Sequence, residues 1–149
     1  MIMAAIRRST AIWEGDLVHG QGRVSAATSG AYTDLPVSWA SRTERADGRT
    51  SPEELLGSAH ASCFAMALAH TLAQGQTPPQ RLEVTAEVTF SQEGGGFTVS
   101  SSALTVRGVV PGLDAAGFQQ AAESAKENCP ISRALRGNVA LSVAATLGG

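Results

Sequence analysis

The sequence predicts an α+β protein, with antiparallel sheets arranged around central helices. Three observations lead there. Segments of alternating polar and apolar residues, broken by glycine and turn residues, read as strands. One run of small and apolar residues from Leu55 to Ala73 reads as a single long helix. The order is three strands, a helix, two strands, helices and a last strand, not the strict alternation of a parallel sheet.

The first third supplies three strand candidates: STAIWEGD (9–16), GRVSAAT (22–28) and DLPVSWASR (34–42). RADGRT (45–50) is polar and turn-prone and reads as a loop. Helix signals then arrive together. Ser51 and Glu54 have the spacing of a capping box, and Pro52 takes the favoured first helical position. Glu53 and Glu54 place negative charge where the helix dipole favours it. Gly75 and Pro78-Pro79 mark the end. Between Ala59 and Ala69 nearly every face is apolar or small, so this helix is expected to be enclosed by other structure. A single chain of this length has few elements with which to surround it. A homodimer that packs two such helices together, with sheets outside, solves the problem.

RLEVTAEVTFS (81–91) alternates cleanly as a strand, GGG (94–96) turns the chain, and FTVSSSALTVRGVV (97–110) is its antiparallel partner. LDAAGFQQAAESAKEN (113–128) is an amphipathic helix with Asp114 at its N-cap. A short helix from Pro130 to about Leu135 and a strand, NVALSVAATL, complete the order.

At 149 residues the chain is expected to form one domain, 1–149. Net charge is −2 without any block of like charge, so it lacks the electrostatic footprint of a nucleic-acid or anionic-membrane partner. The N-terminal MIMAAIRR lacks the pattern of a signal peptide, and no run reaches the ~18 apolar residues of a membrane span. A cytoplasmic location follows as the expectation, and cytosolic disulfides are usually transient and catalytic or redox-sensing. The two cysteines are too few for a zinc ribbon.

Cys63 sits well inside the long helix, where a thiol often acts as a small buried hydrophobe. His60 lies three residues earlier on the same face. It reads first as a core or cap histidine and second as a group that tunes the thiol. Cys129 stands between two helices, directly before Pro130, and so is the N-cap of the second. Backbone N–H groups and the dipole at such a place lower a thiol pKa. A boundary position is also a poor choice for plain core filling.

TSPEELLGSAHASCFAMALAH (50–70), taken with ENCPISRAL (127–135), resembles the OsmC/Ohr family of thiol-dependent peroxidases. WEGDLVHGQGRVS and the arginine of SWASR resemble the osmotically inducible OsmC branch, and the glycine-rich, arginine-containing N-terminal segment of the organic-hydroperoxide-resistance branch is not found. The resemblance covers almost the whole chain in order and implies an intertwined homodimer. It implies that Cys63 is the peroxidatic thiol and Cys129 the resolving one. Glu53 matches the glutamate of the active-site network. The family arginine falls on Arg42, with Arg45 and Arg49 as alternatives.

The residue types suit that chemistry. A thiolate attacks the peroxide, an arginine favours the thiolate and the developing charge, and a carboxylate orients the arginine. The sulfenic acid formed condenses with a second thiol. The apolar residues around Cys63 suit an organic hydroperoxide as substrate better than hydrogen peroxide. The reading needs no metal or organic cofactor but an external dithiol as reductant, for which the resemblance implies dihydrolipoyl groups in some members. Two other classes compete. One is a redox sensor or ligand-binding module on the same scaffold. The other is a metal site of Cys63, Cys129, His60 and His70, which a continuous helix opposes because it would separate the histidines by about 15 Å. The sequence contains no G-x-S-x-G elbow of a serine hydrolase.

Overall fold

A computed structural model describes residues 4–148; Met1–Met3, part of the segment read for a leader, and Gly149 lie outside the described residues. The chain divides into two compact units, Met1–Pro52 and Glu53–Gly149.

In the first unit β1 (Thr10–Glu14), β2 (Gln21–Ser25) and β3 (Leu35–Val37) form an antiparallel sheet in that order. The third strand is shorter than expected. SWASR leaves the sheet and forms α1 (Trp39–Thr43). Ser38 Oγ accepts from the Ser41 N–H at 3.0 Å, and the Ser38 N–H donates back to Ser41 Oγ at 3.0 Å. This reciprocal cap, with serine in the place usual for Glu or Gln, satisfies the first donors of a turn of helix.

The second unit is built on α2 (Pro52–Gln74), which starts at Pro52 as expected and runs unbroken through Gly57. Glu53, Gly57, His60, Phe64, Leu68 and Leu72 are its buried residues, spaced three and four apart, so they form one face. Gly57 lets that face approach the sheet closely: a Cβ there would lie 3.3 Å from the Ala86 carbonyl oxygen. The opposite stripe, Ala59, Ser62, Met66 and Ala73, is exposed. Within one chain the helix is therefore covered on one side, not enclosed. By length and composition alone α2 is apolar enough to cross a membrane, although no continuous apolar run of that length occurs in the sequence.

β4 (Arg81–Glu93) and β5 (Gly96–Val109) pair antiparallel, with an irregularity between Thr89 and Phe90. The expectation of antiparallel sheets is corrected at β6 (Ala140–Leu147), which lies parallel to β5, from Ser101 opposite Ala140 to Gly108 opposite Leu147. The reason is the connection. α3 (Ala115–Asn128) and α4 (Pro130–Leu135) return the chain to the starting end of β5 before β6 begins. A crossover of that length produces a parallel pair. Asp114 caps α3 as expected, its side chain accepting from the Gly117 N–H at 2.8 Å. The core of this unit joins Phe64 and Leu68 of α2, Leu104 and Val106 of β5, Phe118 of α3, and Cys129.

Candidate active site

Cys129 joins α3 to α4. Its N–H donates to the Ala125 carbonyl at 2.8 Å, closing α3, and its carbonyl accepts from the Arg133 N–H at 3.0 Å, opening α4. Its backbone is extended (φ −59°, ψ 123°), as a residue before proline requires. It is the N-cap by position, but its side chain makes no capping hydrogen bond. The thiol is instead 0% exposed and belongs to the core, where the sequence made a boundary cysteine a poor core filler. It lies within hydrogen-bonding reach of Cys63, a half-buried residue of α2. Both are free thiols.

Burial is the main influence on Cys63 and pushes its thiol pKa up. The Ile131 N–H, in the first turn of α4, pulls it down, whereas the hydrogen bond and charge of Cys129 push it up again. The N–H contact that favours a thiolate at the start of α4 is thus made to Cys63.

His60, one turn before Cys63, is a core histidine, fully buried. Its Nδ1 lies 2.6 Å from Ser102 Oγ on β5, and its Nε2 lies 2.8 Å from Ser132 Oγ on α4. Burial lowers its pKa, so the ring is held neutral, with one nitrogen donating and the other accepting. Both serines are 0% exposed. This serine–histidine–serine chain has hydroxyls at both ring nitrogens, but no substrate can reach it. Ser102 and Ser132 carry no signal at the level of motifs. The one clue to Ser102 is its inward position in a strand of alternating burial.

Of the remaining candidates, Glu53 is held away from Cys63 within one chain. Glu53 is buried on the same continuous helix, ten residues before Cys63, which is about 15 Å of rise. The helix runs unbroken past Gly57, so its first turn does not fold back toward Cys63. Arg42 lies in the last turn of α1 in the first unit, its guanidinium carbon 6.0 Å from the Trp39 ring centroid. Arg45 and Arg49 line a cavity of about 300 Å³ in the same unit, with Glu44 and Asp47. His70 is exposed, ten residues along the same helix from His60, whose two nitrogens are both engaged by serines. Among the described residues no group of three or more His, Cys, Asp or Glu side chains could hold a metal ion.

Fold and site define a class: an α+β protein that brings a half-exposed helical thiol against a buried thiol at a helix junction. The chain belongs to the family of OsmC-like proteins, which matches residues 45–144. It is 37% identical to the peroxiredoxin OsmC of Escherichia coli (strain K12) over 139 residues, covering 93% of this chain and 96% of the relative. It is 34% identical to an organic hydroperoxide resistance protein of Xanthomonas axonopodis pv. citri over 91 residues, 60% of this chain and 62% of the relative. In fold it is similar to the crystal structure of the organic hydroperoxide resistance protein OhrB of Bacillus subtilis, with a TM-score of 0.74 over 93% of this chain and 98% of that one, at 24% identity.

Proposed function

We propose that this chain is a thiol-dependent peroxidase that reduces organic hydroperoxides through Cys63 and Cys129. The observation that carries the reading is the meeting of the two thiols, one half-buried and the other sealed in the core. The names of the relatives, a peroxiredoxin and an organic hydroperoxide resistance protein, agree with it.

The Cys63 thiolate attacks the distal peroxide oxygen. The O–O bond breaks, the alkoxide leaves and takes up a proton as the alcohol, and sulfur is oxidised to a sulfenic acid. The Cys129 thiolate then attacks that sulfur. An S–S bond forms, the S–O bond breaks, and hydroxide leaves as water after taking the proton that Cys129 gave up. An external dithiol, such as a dihydrolipoyl group, returns both cysteines to thiols and is itself oxidised to its disulfide.

Arg42 is assigned to hold the peroxide and Glu53 to orient that arginine. Because Glu53 cannot reach the Cys63 of its own helix, it is assigned to the site of a second copy in a homodimer. The exposed stripe of Ala59, Ser62, Met66 and Ala73, with Met66 68% exposed, supports close contact between two α2 helices.

The test is non-reducing peptide mapping after one equivalent of cumene hydroperoxide. A 63–129 link is expected, with sustained turnover when a dithiol is supplied. Two free thiols after the peroxide is consumed would sink the proposal, and a single stoichiometric oxidation without turnover would favour a sensor.

A further inference from the structure

We infer that His60 is a positioning residue for the resolving step: bridged between Ser102 and Ser132, it locks α4, and with it Cys129, in register with Cys63. The inference rests on the reading that Cys63 and Cys129 form a disulfide.

The argument begins with α4. At six residues it is too short to hold its shape without tertiary contacts. Its one buried residue is not apolar but Ser132, and the hydroxyl of that serine contacts His60 Nε2 at 2.8 Å. The tie at the other end, from Arg136 to the Glu127 carbonyl and carboxylate, is exposed. Ile131 packs against the core from the same helix, and His60 is the polar interior anchor of the helix that starts at Cys129.

The placement is specific. His60 stands three residues before Cys63 on α2, and Ser132 stands three residues after Cys129. Three residues is about one helical turn, so the bridge spans the two helices one turn from each thiol. The second ring nitrogen, on Ser102 at 2.6 Å, braces the imidazole against β5 so that it cannot rotate away. A hydrogen bond is directional. It fixes the rotation and slide of α4, which an apolar contact of equal size would leave free.

The resolving step needs that constraint. An S–S bond of about 2.05 Å tolerates only a narrow range of Cβ separations, about 3.5–4.5 Å. A misplacement of about 1 Å can cost about 100-fold in an oriented reaction. Attack on peroxide by Cys63 uses α4 only through the Ile131 N–H, and a hydrogen bond tolerates a wider range of positions than a forming S–S bond does. The bridge is accordingly assigned mainly to the second step.

The experiment separates the two steps. Reduced protein is mixed with one equivalent of cumene hydroperoxide. Sulfenic acid is trapped with dimedone, free thiols are alkylated at intervals, and both are followed by mass spectrometry. For Ser132→Ala the loss of reduced Cys63 should keep the parent rate within about twofold, whereas disulfide closure slows about tenfold or more and dimedone adduct accumulates. Ser102→Ala, which removes a buried partner of the same ring but leaves the α4 end in place, should slow closure less than about threefold. Ser132→Thr keeps the hydroxyl and serves where the alanine variant does not fold; it should close within about threefold of the parent. Closure at the parent rate in Ser132→Ala overturns the inference, as does equal slowing in the two alanine variants, or slowing in Ser132→Thr as large as that expected for alanine. A parent protein that never forms the disulfide overturns the underlying reading instead, and the inference falls with it.

Discussion

The seat of α3 on the sheet can be tested at Gly108. This residue lies in β5, opposite Leu82 of β4 and Leu147 of β6. A Cβ added there would lie 2.5 Å from Phe118 Cζ, 3.0 Å from its Cε1 and 3.1 Å from Leu82 Cδ2. Ordinary contact begins near 3.4 Å, so the ring must retreat by almost 1 Å. Phe118 is 0% exposed and has no room to do so without moving α3. Overpacking of this kind costs about 1–3 kcal/mol. For a chain of this size that corresponds to a fall in Tm of about 2–12 °C. Because Cys129 is the C-cap of α3, the displacement should also reach the thiols. Phe118→Leu shortens the offending ring and should relieve part of the clash. Gly108→Ala, Phe118→Leu and the double variant are compared by urea unfolding, with disulfide closure measured in each. The double variant should be more stable than the sum of the single effects by at least about 0.5 kcal/mol, since the two residues touch. Additive effects, or a Gly108→Ala variant as stable as the parent, would refute the packing argument.

Other outcomes follow from the site. Cys63→Ser should abolish turnover, whereas Cys129→Ser should react once and then stall or over-oxidise at Cys63; equal steady-state rates in parent and Cys129→Ser exclude the resolving role. Cys129 pushes the Cys63 pKa up, so Cys129→Ala should move the pH midpoint of Cys63 alkylation down, and a midpoint that rises or stays put contradicts the stated cause. Burial lowers the His60 pKa below its ordinary 6.5, so the unfolded chain binds the extra proton first as pH falls. Stability should therefore drop from pH 7.5 to 5.5, by at most about 1.4 kcal/mol for this one group, and the drop should shrink in His60→Gln; urea unfolding at both pH values measures it, and an unchanged slope in the variant rejects the assignment. Mixing Cys63→Ser with Glu53→Gln subunits should regain about one working site per heterodimer if Glu53 acts on a second copy, while mixtures that stay inactive favour sites built within one chain.

The sequence by itself determined the elements whose signals are local. The long helix opens at Pro52 and α3 is capped by Asp114, because caps and N-terminal prolines act within one turn. Alternation marked β4 and β5, since side chains on a strand face opposite sides at every step. Pro130 forced Cys129 into an extended junction between helices. The likeness of the two cysteine motifs supplied the pairing of Cys63 with Cys129; neither spacing nor periodicity could have. One local signal was obscured: the Ser38–Ser41 cap turned SWASR out of the sheet, but it has serine in the place usual for Glu or Gln, and alternation there reads as more strand. Tertiary structure alone decided the rest. The direction of β6 was set by where the α3–α4 crossover ends, not by anything within its own residues. The partners of His60 lie 42 and 72 residues away, and the inward serines that meet its two nitrogens are chosen by the packing of β5 and α4 around α2. A pattern of period two or 3.6 reports which face of an element is apolar, but which polar groups meet inside is fixed only when those faces close on one another.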